Sequence, residues 1–169
     1  MSKRPSREEI LNNVEQAAHD YEKAFHGCSR CALKGLQDHL NLGDGVTLRA
    51  STPFAAGIAM RGETCGALLG ALMAVGIVTA SEELEDSNAL NNSLAAGFRF
   101  IRMVKKEFGS TDCIKIQTDK LGKYYNIAEP EQYQAFIDAG GYVECPKVVG
   151  KIARMAAEFI LDYREKTKS

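Results

Sequence analysis

The feature that most constrains the fold is an apolar segment rich in small residues, which runs from Gly62 to Gly76. Its small residues recur at spacings of three and four: Gly66, Ala67, Gly70, Ala71 and Ala74. This spacing is typical of a helix, and small side chains along one stripe let neighbouring backbones approach closely. The segment therefore predicts a central helix, from about residue 64 to 79, within a helical domain.

A cysteine, Cys65, stands at the start of this predicted helix. Free amide groups and the helix dipole stabilise a thiolate at that place. The chain has five cysteines in all: Cys28, Cys31, Cys65, Cys113 and Cys145. In a reducing compartment, an odd number of cysteines favours metal binding, redox chemistry or a reactive thiol over a framework of disulfides.

The overall composition excludes several classes of protein. The 169 residues include 21 Lys plus Arg and 22 Asp plus Glu, a balance that predicts no nucleic-acid-binding surface. The length is that of one domain, which we expect to span residues 1–169. The N-terminus lacks the apolar run of a signal peptide, and the apolar residues 65–78 are too few to span a bilayer. We therefore expect a cytoplasmic protein that does not insert into membranes.

The remaining pattern predicts further helices. Ser6 and Glu9 have the spacing of a capping box, and the apolar stripe behind them predicts a helix that Gly27 ends. The expected helices cover about residues 6–26, 28–42, 64–79, 88–108 and 131–139, and a last one opens at Cys145-Pro146.

Three other segments are less regular. Residues 46–50 could add a short helical piece, and residues 53–63 are expected to form a packed loop. Residues 114–129 have no clear pattern, because Ile114 and Ile116 alternate with polar residues but a lone strand would lack a partner. The prediction is an all-α, single-domain, irregular bundle of five or six helices.

The cysteines occupy related positions in this prediction. Cys31, Cys65 and Cys145 lie near helix starts, and Cys113 lies in a loop directly after a helix. Such placement suits a site gathered at one end of the bundle. The C-x-x-C pair of Cys28 and Cys31 is compatible with dithiol redox, zinc and iron–sulfur sites alike, and cysteines also serve simply as small buried hydrophobic residues.

Several segments together resemble a known family. They are Cys31-Ala32, the run from Arg61 to Met73, the helix end Glu107-Phe108-Gly109-Ser110, Cys113 and Cys145. In this order they resemble the family of small proteins named for a C_GCAxxG_C_C cysteine pattern, whose members are described as redox-active. The resemblance covers about residues 20 to 160.

The resemblance implies a four-cysteine site. The characteristic cysteines of the family fall on Cys31, Cys65, Cys113 and Cys145, which leaves Cys28 as an extra thiol. Where members usually carry a richer glycine run, this chain has residues 53–57 with a single glycine. A similar domain in split-Soret cytochromes is associated with an iron–sulfur cluster. The resemblance therefore implies a redox or electron-transfer protein with an unknown redox partner protein, in which these four cysteines ligate a cluster.

Two alternatives remain open at this point. The thiols could form reversible disulfides, with Cys28 and Cys31 as the catalytic attacking and resolving pair. The protein could instead be a structural zinc module, or a packed module without a cofactor, that binds a partner protein. Its small-residue helix could serve as a homodimer interface instead of core packing. Enzymatic activity rests on the thiols alone, since the chain has neither a phosphate-binding loop after a strand nor a Ser/His/Asp motif.

Two further side chains are candidates for the site. His26 lies close to Cys28 in the chain and could act as a ligand or proton donor, although a histidine at a helix end also serves as a cap. Glu63 could change the pKa of the Cys65 thiol, or it could simply complement the dipole of the helix that follows.

Overall fold

A computed structural model describes residues 5–167, and within them 75% of the structure is helical and no strand occurs. This confirms the predicted all-α class. The eight α-helices of this part of the chain are α1 (Arg7–Phe25), α2 (Cys28–Leu40), α3 (Gly45–Ser51), α4 (Gly66–Thr79), α5 (Ser87–Phe108), α6 (Cys113–Leu121), α7 (Pro130–Asp138) and α8 (Gly141–Lys166). The predicted number of five or six helices is therefore wrong. No helix in residues 5–167 has both the length and the apolarity needed to cross a membrane.

The start of α1 follows the predicted capping box. The Ser6 hydroxyl accepts the Glu9 amide at 3.2 Å, and the Glu9 carboxylate accepts the Ser6 amide at 2.6 Å. At the other end, α1 is capped by His26, and Gly27 caps the N-terminus of α2 instead of ending α1. Gly27 has a φ of 101°, which favours glycine, so the chain makes a sharp turn between the two helices.

The small residues of α4 are used inside the molecule. α2 contacts both α1 and α4, and α8 contacts all three helices. Gly70 allows the closest approach, because a Cβ built there would lie 2.0 Å from the carbonyl oxygen of Ser29 on α2. The stripe that suggested a dimer interface thus packs against α2 in the core.

α6 lies where the sequence pattern is unreadable. Its buried positions are Ile116 and Gln117, so one of the two is polar. The Oε1 atom of Gln117 accepts a hydrogen bond from the Tyr125 amide at 2.6 Å, so this buried oxygen has a partner. A buried amide interrupts the apolar period of a helix, and the sequence therefore gives no helical signal here.

α8 begins four residues before the predicted start at Cys145-Pro146. Gly140 and Gly141 look like a helix stop in the sequence, but Gly141 opens the helix. A Cβ at Gly141 would lie 2.2 Å from the ring of Phe136, so contact with α7 explains this glycine. Cys145 and Pro146 consequently lie at the start of the second turn of α8.

Candidate functional site

Four cysteines line one cavity of about 410 Å³. Each comes from a different segment: Cys28 begins α2, Cys65 caps α4, Cys113 begins α6, and Cys145 lies at the start of the second turn of α8. All four are free thiols. The fold therefore brings together thiols that are separated by up to 117 residues in the sequence, since 145 − 28 = 117.

Short backbone pairing fixes two of these cysteines next to each other. The chain before α4 runs antiparallel to the chain before α6, with a bridge between Thr64 and Asp112. The Cys65 amide donates to the Thr111 carbonyl at 2.8 Å, and the Cys113 amide donates to the Glu63 carbonyl at 2.6 Å. The positions of Cys65 and Cys113 thus depend on backbone hydrogen bonds and not on side-chain packing alone.

Cys28 lies against the start of α4. Its sulfur accepts the backbone amide of Ala56 at 3.3 Å. A Cβ at Gly66 would lie 2.5 Å from the Cys28 sulfur, so the glycine that follows Cys65 leaves the space that this sulfur occupies. Cys65 therefore contributes its own thiol to the cavity, and Gly66 leaves room for the Cys28 thiol from α2.

Cys31 is placed differently. It is buried within a separate groove, which it lines together with Tyr21 and Phe25, and its thiol donates to the His26 carbonyl at 3.6 Å. Of the four cysteines that the family resemblance implies, the cavity contains Cys65, Cys113 and Cys145, and Cys28 is the fourth thiol along its wall.

Burial governs the electrostatics of the cavity thiols. Removal from water raises the pKa of Cys65 and that of Cys113 to about 12, and it raises the pKa of Cys28 and Cys145 well above the ordinary value. Each thiolate also disfavours ionisation of its neighbours. The amides of Leu68 and Ala67 oppose the increase at Cys65 but do not cancel it. At neutral pH the four thiols therefore keep their protons unless a positive charge enters the cavity.

An aromatic cluster forms another part of the cavity wall. The His26 ring stacks on Tyr142 with 3.6 Å between the ring centres, and Phe136 contacts Tyr142 edge-on at 5.1 Å. The Nδ1 atom of His26 lies 2.9 Å from the Glu22 carbonyl, to which it can donate. His26 thus lines the cavity, and its ring is positioned by stacking on Tyr142 and by the contact with the Glu22 carbonyl.

Glu22 is a site residue that the sequence analysis missed. Its side chain lines the cavity and is only 4% exposed, and its Oε2 atom has no hydrogen-bond partner among residues 5–167. Burial raises its pKa to about 7, and the Cys31 thiol and the Gly27 amide oppose that increase in part. A sequence signal exists, because Glu22 continues the buried stripe of Val14 and Ala18 on α1, where an apolar residue is expected.

Glu63 does not face the thiols through its carboxylate. The side chain is 57% exposed and lies 3.8 Å from the Arg61 guanidinium. Its contribution to the site is the backbone carbonyl that accepts the Cys113 amide.

The sulfur atoms surround the cavity and do not converge on one point. Within residues 5–167, no group of three or more His, Cys, Asp or Glu side chains is arranged to hold a metal ion. An iron–sulfur cluster, however, inserts several iron and sulfide atoms between its thiolate ligands. The number of thiols that line this cavity and their chemistry are compatible with such a cluster.

Comparison with known proteins identifies the family. No curated protein and no solved structure matches the chain. The sequence model of one family, described as "Putative redox-active protein (C_GCAxxG_C_C)", matches residues 26–159, a range that contains all five cysteines. Because this model matches residues 26–159, which is most of the chain, the chain belongs to the C_GCAxxG_C_C family.

Proposed function

We propose that this protein transfers electrons through an iron–sulfur cluster ligated by Cys28, Cys65, Cys113 and Cys145. The observation that carries the proposal is that four thiols from four separate segments line one cavity. Four cysteine thiolates are the usual ligand set of two-iron and four-iron clusters. When bound, such a cluster supplies one-electron transfer.

The electrostatics favour ligation over thiol–disulfide exchange. Exchange requires a thiolate that attacks a disulfide, but burial keeps the cavity thiols protonated at neutral pH. Iron brings the positive charge that stabilises thiolates in a buried site. The amide that Ala56 directs at the Cys28 sulfur would help to set the potential, because hydrogen bonds to ligand sulfur tune cluster potentials.

The choice of Cys28 as the fourth ligand differs from the set that the resemblance implies, which contains Cys31. Cys28 shares the cavity with the other three thiols, whereas Cys31 lines the groove beside Tyr21 and Phe25. A ligand must reach the common volume, and that requirement favours Cys28.

Two matched variants test the proposal, Cys28→Ser and Cys31→Ser, because each removes one thiol from the same helix. Both are purified with the wild type in the absence of oxygen, and iron, labile sulfide and the visible spectrum are measured. We expect the wild type and Cys31→Ser to show visible absorption that dithionite bleaches. We expect Cys28→Ser to lose the absorption and most of its iron.

The reverse outcome, with colour lost in Cys31→Ser and retained in Cys28→Ser, would assign the fourth ligand to Cys31. Wild-type protein that stays colourless and free of iron after anaerobic reconstitution would exclude the cluster. Zinc analysis and thiol counts under oxidising and reducing conditions would then decide among zinc binding, disulfide chemistry and simple burial.

A further inference from the structure

α5 exposes an apolar stripe on the side that faces away from the core. Its buried face consists of Ala96, Phe100 and Val104. On another face, Leu90, Leu94 and Phe98 follow each other at intervals of four residues and are 55%, 63% and 63% exposed. Large apolar side chains that line up on a surface mark an interaction site more often than isolated ones do.

The charges at the two ends of α5 have opposite signs. Just before and at its N-terminus are the exposed carboxylates Glu82, Glu83, Glu85 and Asp86, and its last two turns carry the exposed cations Arg102, Lys105 and Lys106. None of these side chains forms an ion pair with another residue in the part of the chain from 5 to 167. The last turn also contains Glu107, which pairs with Lys151. The apolar stripe of α5 therefore lies between an acidic segment that precedes the helix and an end at which cations predominate.

We propose that this face of α5 is the interface of a homodimer in which the α5 helices of two copies pack antiparallel. A two-fold axis midway between Leu94 and Phe98 places residue 86 of one copy beside residue 106 of the other. The acidic segment at the start of each helix then lies near the basic end of the second copy, Leu94 meets Phe98 at the centre, and Leu90 lies beside Arg102. A parallel arrangement would instead bring like charges together at both ends, which is unfavourable.

The geometry suits a self-complementary contact. α5 has 22 residues and is about 33 Å long at 1.5 Å per residue. It carries the apolar centre and the basic end, and the acidic segment directly precedes it. In a two-fold dimer the same patch must bind itself, and a surface that is acidic at one end and basic at the other meets this condition only when antiparallel.

Sedimentation velocity at protein concentrations up to tens of micromolar tests whether the dimer forms. We expect the wild type to sediment at twice its monomer mass of 18.5 kDa. Leu94→Glu and Phe98→Glu should each raise the dissociation constant by about 30-fold or more, because they place a charge in the apolar centre. Val46→Glu is the matched control, because Val46 is 60% exposed on α3, and it should leave the dimer intact.

A charge exchange tests the antiparallel orientation. Lys105→Glu with Lys106→Glu makes both ends of the helix acidic, and Glu82→Lys with Glu83→Lys and Glu85→Lys makes both ends basic. We expect each variant alone to self-associate about tenfold more weakly at low salt, and a mixture of the two to form heterodimers. Circular dichroism checks that every variant is folded.

Three outcomes would overturn the proposal. The first is wild-type protein that remains a monomer at the highest concentration. The second is a folded Leu94→Glu variant that dimerises as well as the wild type. The third is a mixture of the charge variants that associates no better than either variant alone.

Discussion

Replacement of Glu22 by glutamine should abolish a pH-dependent loss of stability in the iron-free protein. Glu22 lies in the last two turns of α1, is 4% exposed, and its Oε2 atom has no hydrogen-bond partner in residues 5–167. Burial raises the pKa of this carboxyl from an ordinary value of 4.5 to about 7. The folded protein therefore holds the proton more tightly than the unfolded chain does.

This difference in proton affinity determines how the free energy of unfolding changes with pH. Between pH 4.5 and about pH 7 the unfolded chain releases the proton and the folded protein keeps it, so the free energy of unfolding falls as the pH rises. The fall in the free energy of unfolding is complete above the pKa of Glu22 in the folded state. At about 1.4 kcal/mol for each pH unit, the difference between 4.5 and about 7 corresponds to about 3 kcal/mol. Glutamine has a similar shape and no proton to lose, and the variant should lack this fall.

Urea unfolding of reduced, iron-free protein, followed by circular dichroism from about pH 5 to about pH 8, measures the effect. The difference in unfolding free energy between Glu22→Gln and the wild type should grow with pH by about 3 kcal/mol, in favour of the variant. Glu158→Gln, at an exposed position on α8, controls for the loss of one negative charge. A difference that stays constant over this pH range would refute the reasoning that Glu22 carries the proton.

Two predictions concern glycine and the backbone, and thermal or urea unfolding measures both. Gly70→Ala should destabilise the protein by about 3 kcal/mol, since its Cβ would meet the Ser29 carbonyl, whereas Gly76→Ala should stabilise it by about 0.5 to 1 kcal/mol because no atom lies within 4 Å. A larger loss for Gly76→Ala than for Gly70→Ala would contradict the packing of α4 on α2. Ala59→Gly should raise stability by about 0.5 to 1 kcal/mol, since the exposed Ala59 has a φ of 50°, which costs alanine more than glycine. A loss of stability in Ala59→Gly would show that this backbone conformation is not a source of strain.

The helices that could be predicted are those whose signals are local. The capping box of Ser6 and Glu9 defines the start of α1, and Gly109, with a φ of 72°, ends α5 where the sequence places its end. α6 could not be predicted, because its interior contact at Gln117 is a hydrogen bond to a residue eight positions away. The start of α8 could not be predicted either, since Gly141 is required by its contact with Phe136 and not by its own conformation.

The candidate site could be predicted only in part, for a related reason. A sequence identifies cysteines near helix starts, but it does not show which of two thiols three residues apart faces a given neighbour. Cys28 and Cys31 lie within one turn of α2, but Cys28 lines the cavity, whereas Cys31 lines the groove beside Tyr21 and Phe25 and interacts with the Glu22 side chain. The resemblance implies Cys31, the cavity contains Cys28, and the two serine variants decide between them.

The loop before α4 shows how this chain supports the site with few glycines. Ala56, Ile58, Ala59 and Met60 all have positive φ, between 50° and 65°, a region that side chains disfavour. The loop holds this conformation through its own backbone, since the amides of residues 59, 60, 62 and 63 donate to carbonyls of residues 53 to 57. This loop places the Ala56 amide so that it donates to the Cys28 sulfur. It also places the Glu63 carbonyl so that it accepts a hydrogen bond from the Cys113 amide. Strain of this kind persists where the surrounding structure over-determines it. Here the strained loop forms hydrogen bonds with two of the four cavity cysteines, Cys28 and Cys113. This role at the site is a physical reason for the strained conformation.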